Sequence, residues 1–165
     1  MKPLIQQSLN FWASILSLDS FVDTITFRII DAPKKSDPEE EHLYSACVVM
    51  DTTTRTAEIV LKNNIVEVYK DEYTFVKEPE DVVDMAILHE CIHIVAHPMS
   101  SWASTTIDNI EGKEVLAKLF EQEEEQTVEH LTRVFYSFRD CFGPYRFKGK
   151  VVYVPSKRKN IKDKN

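Results

Sequence analysis

Apolar residues at Leu4, Ile5, Leu9, Trp12, Ala13 and Leu16 recur at intervals of three and four. That period lines one side of a helix and predicts one over 4–17. From Phe21 the rhythm changes. FVDTITFRIID alternates and is rich in β-branched and aromatic side chains, which predicts a strand over 21–31. PKKSDPEEE at 33–41 carries two prolines and six charges and reads as a charged loop. LYSACVVMD at 43–51 predicts a second strand, and TTTRT after it a turn or an exposed crossing. AEIVL at 57–61 predicts a third strand, with Ala57, Ile59 and Leu61 on one face. NNIVEVY at 63–69 fits a fourth strand or a loop edge.

Pro79, Glu80 and Asp81 open the next element. Proline suits the first turn of a helix, and acids there complement its dipole. The helix is apolar nearly all round, through Val82, Val83, Met85, Ala86, Ile87, Leu88, Ile92, Ile94 and Val95. Such a helix is expected in the core. Pro98 is expected to stop it after His97, because proline lacks the N–H and crowds the preceding turn. Residues 99–110, with Trp102, read as a polar connection. A last helix is predicted over 112–139, with a stripe through Leu116, Phe120, Val128, Leu131, Phe135 and Phe138, closed by Phe142-Gly143-Pro144. One helix, then strands, then two helices imply an α+β domain with helices packed on a small, mostly antiparallel sheet. Its expected bounds are 1–145, followed by a basic tail at 146–165.

The bulk composition narrows the function. With 165 residues, 43 % hydrophobic and 10 % aromatic, the chain suits one domain with a real core rather than a disordered segment. A net charge of −7 sets it against nucleic acid and anionic membranes unless positive charge gathers locally. It gathers at 146–165, which holds eight Lys or Arg and one acid, Asp163. That segment reads as a solvated terminus or as an arm for a partner such as nucleic acid. No apolar run approaches the ~18–20 residues of a membrane span, and MKPLIQQSLNFW lacks the apolar centre of a signal peptide. The expected location is cytoplasmic, with no membrane partner. Cys47, Cys91 and Cys141 are odd in number and far apart, so packed thiols are expected rather than disulfides or a thiolate metal site.

The chemistry concentrates in LHECIHIVAHP at 88–98. His89, Glu90 and His93 form H-E-x-x-H on a predicted helix. Residues four apart stack on one helix face, so two imidazoles at that spacing can share one zinc ion. Glu90, beside the first ligand, is then placed to act as a base rather than a ligand. Two histidines and a glutamate in an apolar helix also need strong partners to be buried at all, and a metal supplies them. His97 cannot join the set. At ~1.5 Å rise per residue it stands about 12 Å from His89. Ala96 and Met99 also occupy the Gly and final His positions of the longer H-E-x-x-H-x-x-G-x-x-H pattern. His97 reads as a helix C-terminal cation or a rim residue.

A catalytic zinc keeps three protein ligands and one open position. The third is sought in VLAKLFEQEEEQTVEHLTRVF on the last helix. The apolar stripe, extended backwards, meets Glu124, with Glu125 at its edge. H-E-x-x-H followed by a glutamate on a second helix resembles the Glu-zincin metallopeptidases. In these the ligand is often followed by a small residue, a polar one and a small one at +3, +4 and +7. From Glu125 these positions hold Val128, Glu129 and Thr132; from Glu124 they hold Thr127, Val128 and Leu131. The resemblance therefore favours Glu125, with Glu124 as second choice and Glu129 as the outer partner of a ligand histidine. It extends over about residues 10–140. The order F-W-x-x-x-L-x-L, C-V-V-M-D-x-x-x-R-x-A-E-I-V-L, L-H-E-C-I-H, E-E-Q-T-V-E-H-L-T-R is similar to small phage and bacterial zinc metallopeptidases related in pattern to SprT-like and ImmA-type proteins. A phage origin would place the protein in the host cytoplasm.

The resemblance implies a zincin-like fold and a peptidase that cleaves peptide or protein substrates with a zinc-activated water and Glu90 as general base. Strand 57–61 would align the substrate as an edge strand. His130, Arg133 and Tyr136, just past the third ligand, are candidates to steady the reacting carbonyl. The alternative is a zinc-binding regulatory or interaction protein without peptidase activity. Association with nucleic acid would rest on the basic tail alone.

Overall fold

The protein is described by a computed structural model covering residues 1–32, 46–69, 76, 78–143 and 147–156. The charged loop expected at 33–41 and the end of the basic tail, 157–165, lie outside the described residues. Helix α1 (Lys2–Ile15) leads through a 3-10 turn (Leu18–Ser20) into β1 (Thr24–Ile30). Strands β2 (Ala46–Asp51) and β3 (Thr56–Lys62) precede a short helix, α2 (Ile65–Tyr69). Two long helices follow, α3 (Pro79–Ile107) and α4 (Lys113–Ser137), then a 3-10 turn (Arg139–Cys141) and β4 (Lys150–Tyr153).

The architecture is α+β, but the sheet is mixed rather than mostly antiparallel. Its order is β2-β3-β1-β4. Only β2 and β3 pair antiparallel, as a hairpin; β1 runs parallel to both β3 and β4. Alternation within a strand marks its faces and says nothing about its direction. Direction follows from the connections: among the described residues, β2 alone lies between β1 and β3 in the chain, and three α-helices lie between β3 and β4. The strand expected to be an edge, 57–61, is interior, with Ala57, Ile59, Val60, Leu61 and Lys62 all buried. Among the described residues the edge on that side is β2.

β4 arises inside the segment expected to be a tail. Val151 pairs with Ile25, and its carbonyl accepts a hydrogen bond from Gln6 Nε2 of α1 at 3.2 Å. Gly149 permits the entry into β4, since a Cβ there would stand 2.7 Å from the carbonyl oxygen of Asp23. Residues 65–69, expected as a strand or loop edge, are helical. Ile65 is buried, and Val66 and Tyr69 pack on the core, a grouping that suits one helical turn better than alternation does.

The larger difference lies at Pro98. The helix does not stop there but runs on to Ile107, so the polar connection expected at 99–110 is mostly helix. Proline removes the one N–H that would reach the carbonyl of Ile94, a cost of ~3 kcal/mol when nothing offsets it. Here the continuation is tied to α4: Ser100 Oγ donates to Glu124 Oε1 at 2.7 Å. The two helices form an arm that extends beyond the core. It turns at Gly112, whose φ of 74° favours glycine. Met99 and Trp102 are 76 % and 71 % exposed on this arm, and Leu119 is exposed too.

The core holds Ile5, Leu9 and Trp12 of α1, Ile25 and Phe27 of β1, Ile59 and Leu61 of β3, and Met85, Ile87 and Leu88 of α3. α3 contains an 18-residue window apolar enough to cross a bilayer by length and composition, contrary to the expectation from sequence, but 67 % of that window is buried within the protein. Asp84 anchors the start of α3. It is buried, accepts hydrogen bonds from Ser8 Oγ and, at 3.0 Å, from Trp12 Nε1, and pairs with Arg139 Nε at 2.7 Å. Of the cysteines, Cys91 is buried and Cys47 half-buried, but Cys141 is exposed rather than packed.

Candidate metal centre

α3 enters the core at Val82 and stays buried through Ile92, which carries His89 and His93 inward on one face. α4 runs alongside and brings its glutamates opposite them. His89 Nε2 and His93 Nε2 lie 3.2 Å apart. Glu125 closes the triangle, with Oε2 at 3.4 Å from His89 Nε2 and Oε1 at 3.3 Å from His93 Nε2. A tetrahedral zinc with bonds of about 2.0–2.2 Å separates its ligand atoms by about 3.3–3.6 Å. The three side chains therefore form a group that could hold a metal ion. The Glu125 side chain is 46 % exposed, so the group reaches solvent. Three ligands and access to water differ from a closed structural site with four protein ligands.

Each ring is backed by a second carboxylate. His89 Nδ1 is 3.7 Å from Glu129 Oε2, and His93 Nδ1 is 3.6 Å from Glu124 Oε1. Both separations exceed hydrogen-bond length, and His89 Nδ1 is buried without a hydrogen bond. The arrangement is still the one that orients a ligand histidine: an acceptor on Nδ1 leaves Nε2 bare for a metal. Glu129 is itself held by Arg133 Nε at 2.6 Å. Glu124, the second-choice ligand, thus faces the far nitrogen of His93, while Glu125 faces the near nitrogens of both rings.

Glu90 is buried in α3, which packs beside β2. Its charge raises the pKa of the Cys47 thiol on β2, an effect second to burial. Burial pushes the Glu90 carboxyl up to about 7, against the pull of His89 and His93. Burial tends to lower His89, but Glu125 and Glu129 outweigh it and hold the ring at about 9. The two histidines keep Glu125 well below the usual carboxylate range, and His89 does the same to Glu129. The charges of His89, Glu125 and Glu129 thus stabilise one another across the α3–α4 interface.

The remaining sequence candidates separate. Tyr136 is not at the site. It packs against Val82 and Met85 and stands 6.4 Å from Trp12, beside Asp81, which reinforces the upward effect of burial on its hydroxyl. Arg133 holds Glu129, the carboxylate behind His89. His130 is exposed on α4. His97 lies mid-helix rather than at a C-terminus, one turn beyond His93 and outside the ligand group. Ser100 escaped the sequence reading because Pro98 was expected to end its helix. Searches against protein-family models, curated proteins and solved structures find no match for this chain.

Proposed function

We propose that the protein is a zinc metallopeptidase in which His89, His93 and Glu125 hold the metal and Glu90 is the general base. The observation that carries this reading is the triangle of His89 Nε2, His93 Nε2 and the Glu125 carboxylate, with edges of 3.2–3.4 Å, beside a buried glutamate. When bound there, zinc would polarise a carbonyl and make a water molecule acidic near neutral pH. Glu90 would take the proton of the attacking water and deliver it to the leaving amine. Burial raises the Glu90 carboxyl above the ordinary carboxylate range, the direction that suits a general base working near neutral pH. His89 and His93 would stay neutral at Nε2, oriented by Glu129 and Glu124.

A peptide substrate would add along β2 rather than β3. β2 is one of the two sheet edges among the described residues, it packs beside α3, and its Cys47 senses the charge of Glu90. Strand addition supplies backbone hydrogen bonds without demanding one sequence.

The test is metal content and peptide-library cleavage for wild type, Glu90→Gln and Glu125→Gln. Glu90→Gln is expected to keep zinc and to lose cleavage by ~10²–10⁴-fold, the range for a general base. Glu125→Gln is expected to lose zinc. Zinc in the wild type without any cleavage would favour the non-catalytic zinc-binding reading; a wild type without metal would overturn both.

A further inference from the structure

Ser100 lies beyond Pro98, in the part of α3 that leaves the core, yet it touches the outer rim of the metal centre. Its hydroxyl has one proton and two acceptors within reach, Glu124 Oε1 at 2.7 Å and its own helix carbonyl, Ala96 O, at 3.3 Å. A hydrogen bond to a carboxylate is shorter and about twice as strong as one to a neutral acceptor, so the proton goes to Glu124. The same Oε1 atom is the one 3.6 Å from His93 Nδ1. Serine, carboxylate and imidazole thus lie in line from the arm to the site, the first link a hydrogen bond and the second an ion-pair distance.

We propose that Ser100 is a positioning residue for the metal centre: it fixes the Glu124 carboxylate against His93 and so orients the ring whose Nε2 would bind the metal. The inference rests on the metal-binding reading of His89, His93 and Glu125. It has a counterpart on the other ring, where Arg133 steadies Glu129 behind His89. The two devices differ in strength. Arg133 brings a full charge to its carboxylate, whereas Ser100 leaves the charge of Glu124 available to His93. The device depends on the helix surviving Pro98, because only a continued helix carries position 100 back over α4. It also links the exposed arm to the site, since a shift of α3 past Pro98 moves Ser100 away from Glu124.

The test is zinc affinity by chelator competition on the full chain, with thermal melts of the metal-free forms. Carboxylate partners of metal-bound histidines are worth ~10–100-fold in affinity. Glu124→Gln is expected to fall at the low end of that range, and Ser100→Ala to weaken zinc by ~3–10-fold. Ser100→Thr, which keeps the hydroxyl, restores affinity. Ser100→Ala/Glu124→Gln binds no more weakly than Glu124→Gln alone, because the serine acts through the glutamate. If Ser100→Ala lowers only the metal-free melting temperature and binds zinc like the wild type, the bond is a simple helix–helix contact and the proposal falls. Additive losses in the double variant overturn it as well. A wild type that binds no zinc is a distinct result: it removes the metal-binding reading and this proposal with it.

Discussion

His89 and His93 meet nitrogen to nitrogen, with their Nε2 atoms 3.2 Å apart across one helical turn and the Glu125 carboxylate facing both. A metal bound there would join α3 to α4, two helices otherwise linked at this level by side chains alone. Binding to the folded state only stabilises it by ~2.7 kcal/mol at a free concentration 100 times Kd. For a chain of this size that is a rise of about 5–10 °C in melting temperature. Thermal melts with zinc and with chelator are expected to show this rise in the wild type and none in His93→Ala. An equal rise in both would place the zinc elsewhere.

The metal-free protein is expected to lose stability as pH rises from about 5 to 9. Glu90 titrates at about 7 when folded, above its ordinary 4.5, and His89 at about 9, above 6.5. Both bind protons more tightly in the folded state. The stability they contribute is complete below the ordinary value and lost as pH rises through the folded one. Glu125 and Glu129 are shifted down, so their contribution is present above the ordinary carboxylate value and lost in acid. Zinc reverses the alkaline trend, because it binds deprotonated ligands. Melts with and without chelator between pH 5 and 9 check both slopes. A metal-free protein that gains stability over that range would contradict the raised values of Glu90 and His89.

Removing Asp84 is expected to destabilise the fold without touching the ligands. Asp84→Ala leaves the Ser8 hydroxyl and the Trp12 N–H without their acceptor and Arg139 without its partner. Arg139 can turn to water, so the loss is set at ~2–4 kcal/mol. Asp84→Asn, which still accepts a bond from Trp12, costs about half as much. Denaturant unfolding followed by far-ultraviolet circular dichroism measures both. Unchanged zinc affinity in the folded variant separates this anchor from the metal centre.

Residues of α4 are expected to sort by face. Glu129→Gln weakens zinc by ~10-fold or more, through His89. Tyr136→Phe and His130→Ala leave zinc affinity within error, since one packs near Trp12 and the other faces solvent. A large loss in Tyr136→Phe would mean that α4 sits in another register on α3.

The spacing of His89, Glu90 and His93 was legible because a four-residue step has one meaning on a helix. The choice between Glu124 and Glu125 was not legible from helical phase alone. Both glutamates point towards α3, and only the approach of the two helices assigns one to the near nitrogens and the other to a far one. Pro98 misled for a related reason. Its local effect is to end a helix, and a contact made beyond it, Ser100 to Glu124, joins residues 24 positions apart. Strand direction and the placement of β2 at the edge likewise depend on long connections. α1 and β1 could be read because burial on one face leaves its period in the sequence, and α3 because a long apolar run follows a proline and two acids.

The pairing of β1 with β4 has a consequence for synthesis. Thr24 pairs with Lys150, so a strand made early waits for one made after both long helices. His89, His93 and Glu125 all precede β4 in the chain. The ligands can therefore meet while the β4 flank of β1 is still open, and metal captured at that stage would hold α3 and α4 together before the sheet closes. Partners separated this far in sequence are slow to find each other. The fold therefore lets α3 and α4 pack before the last strand joins β1.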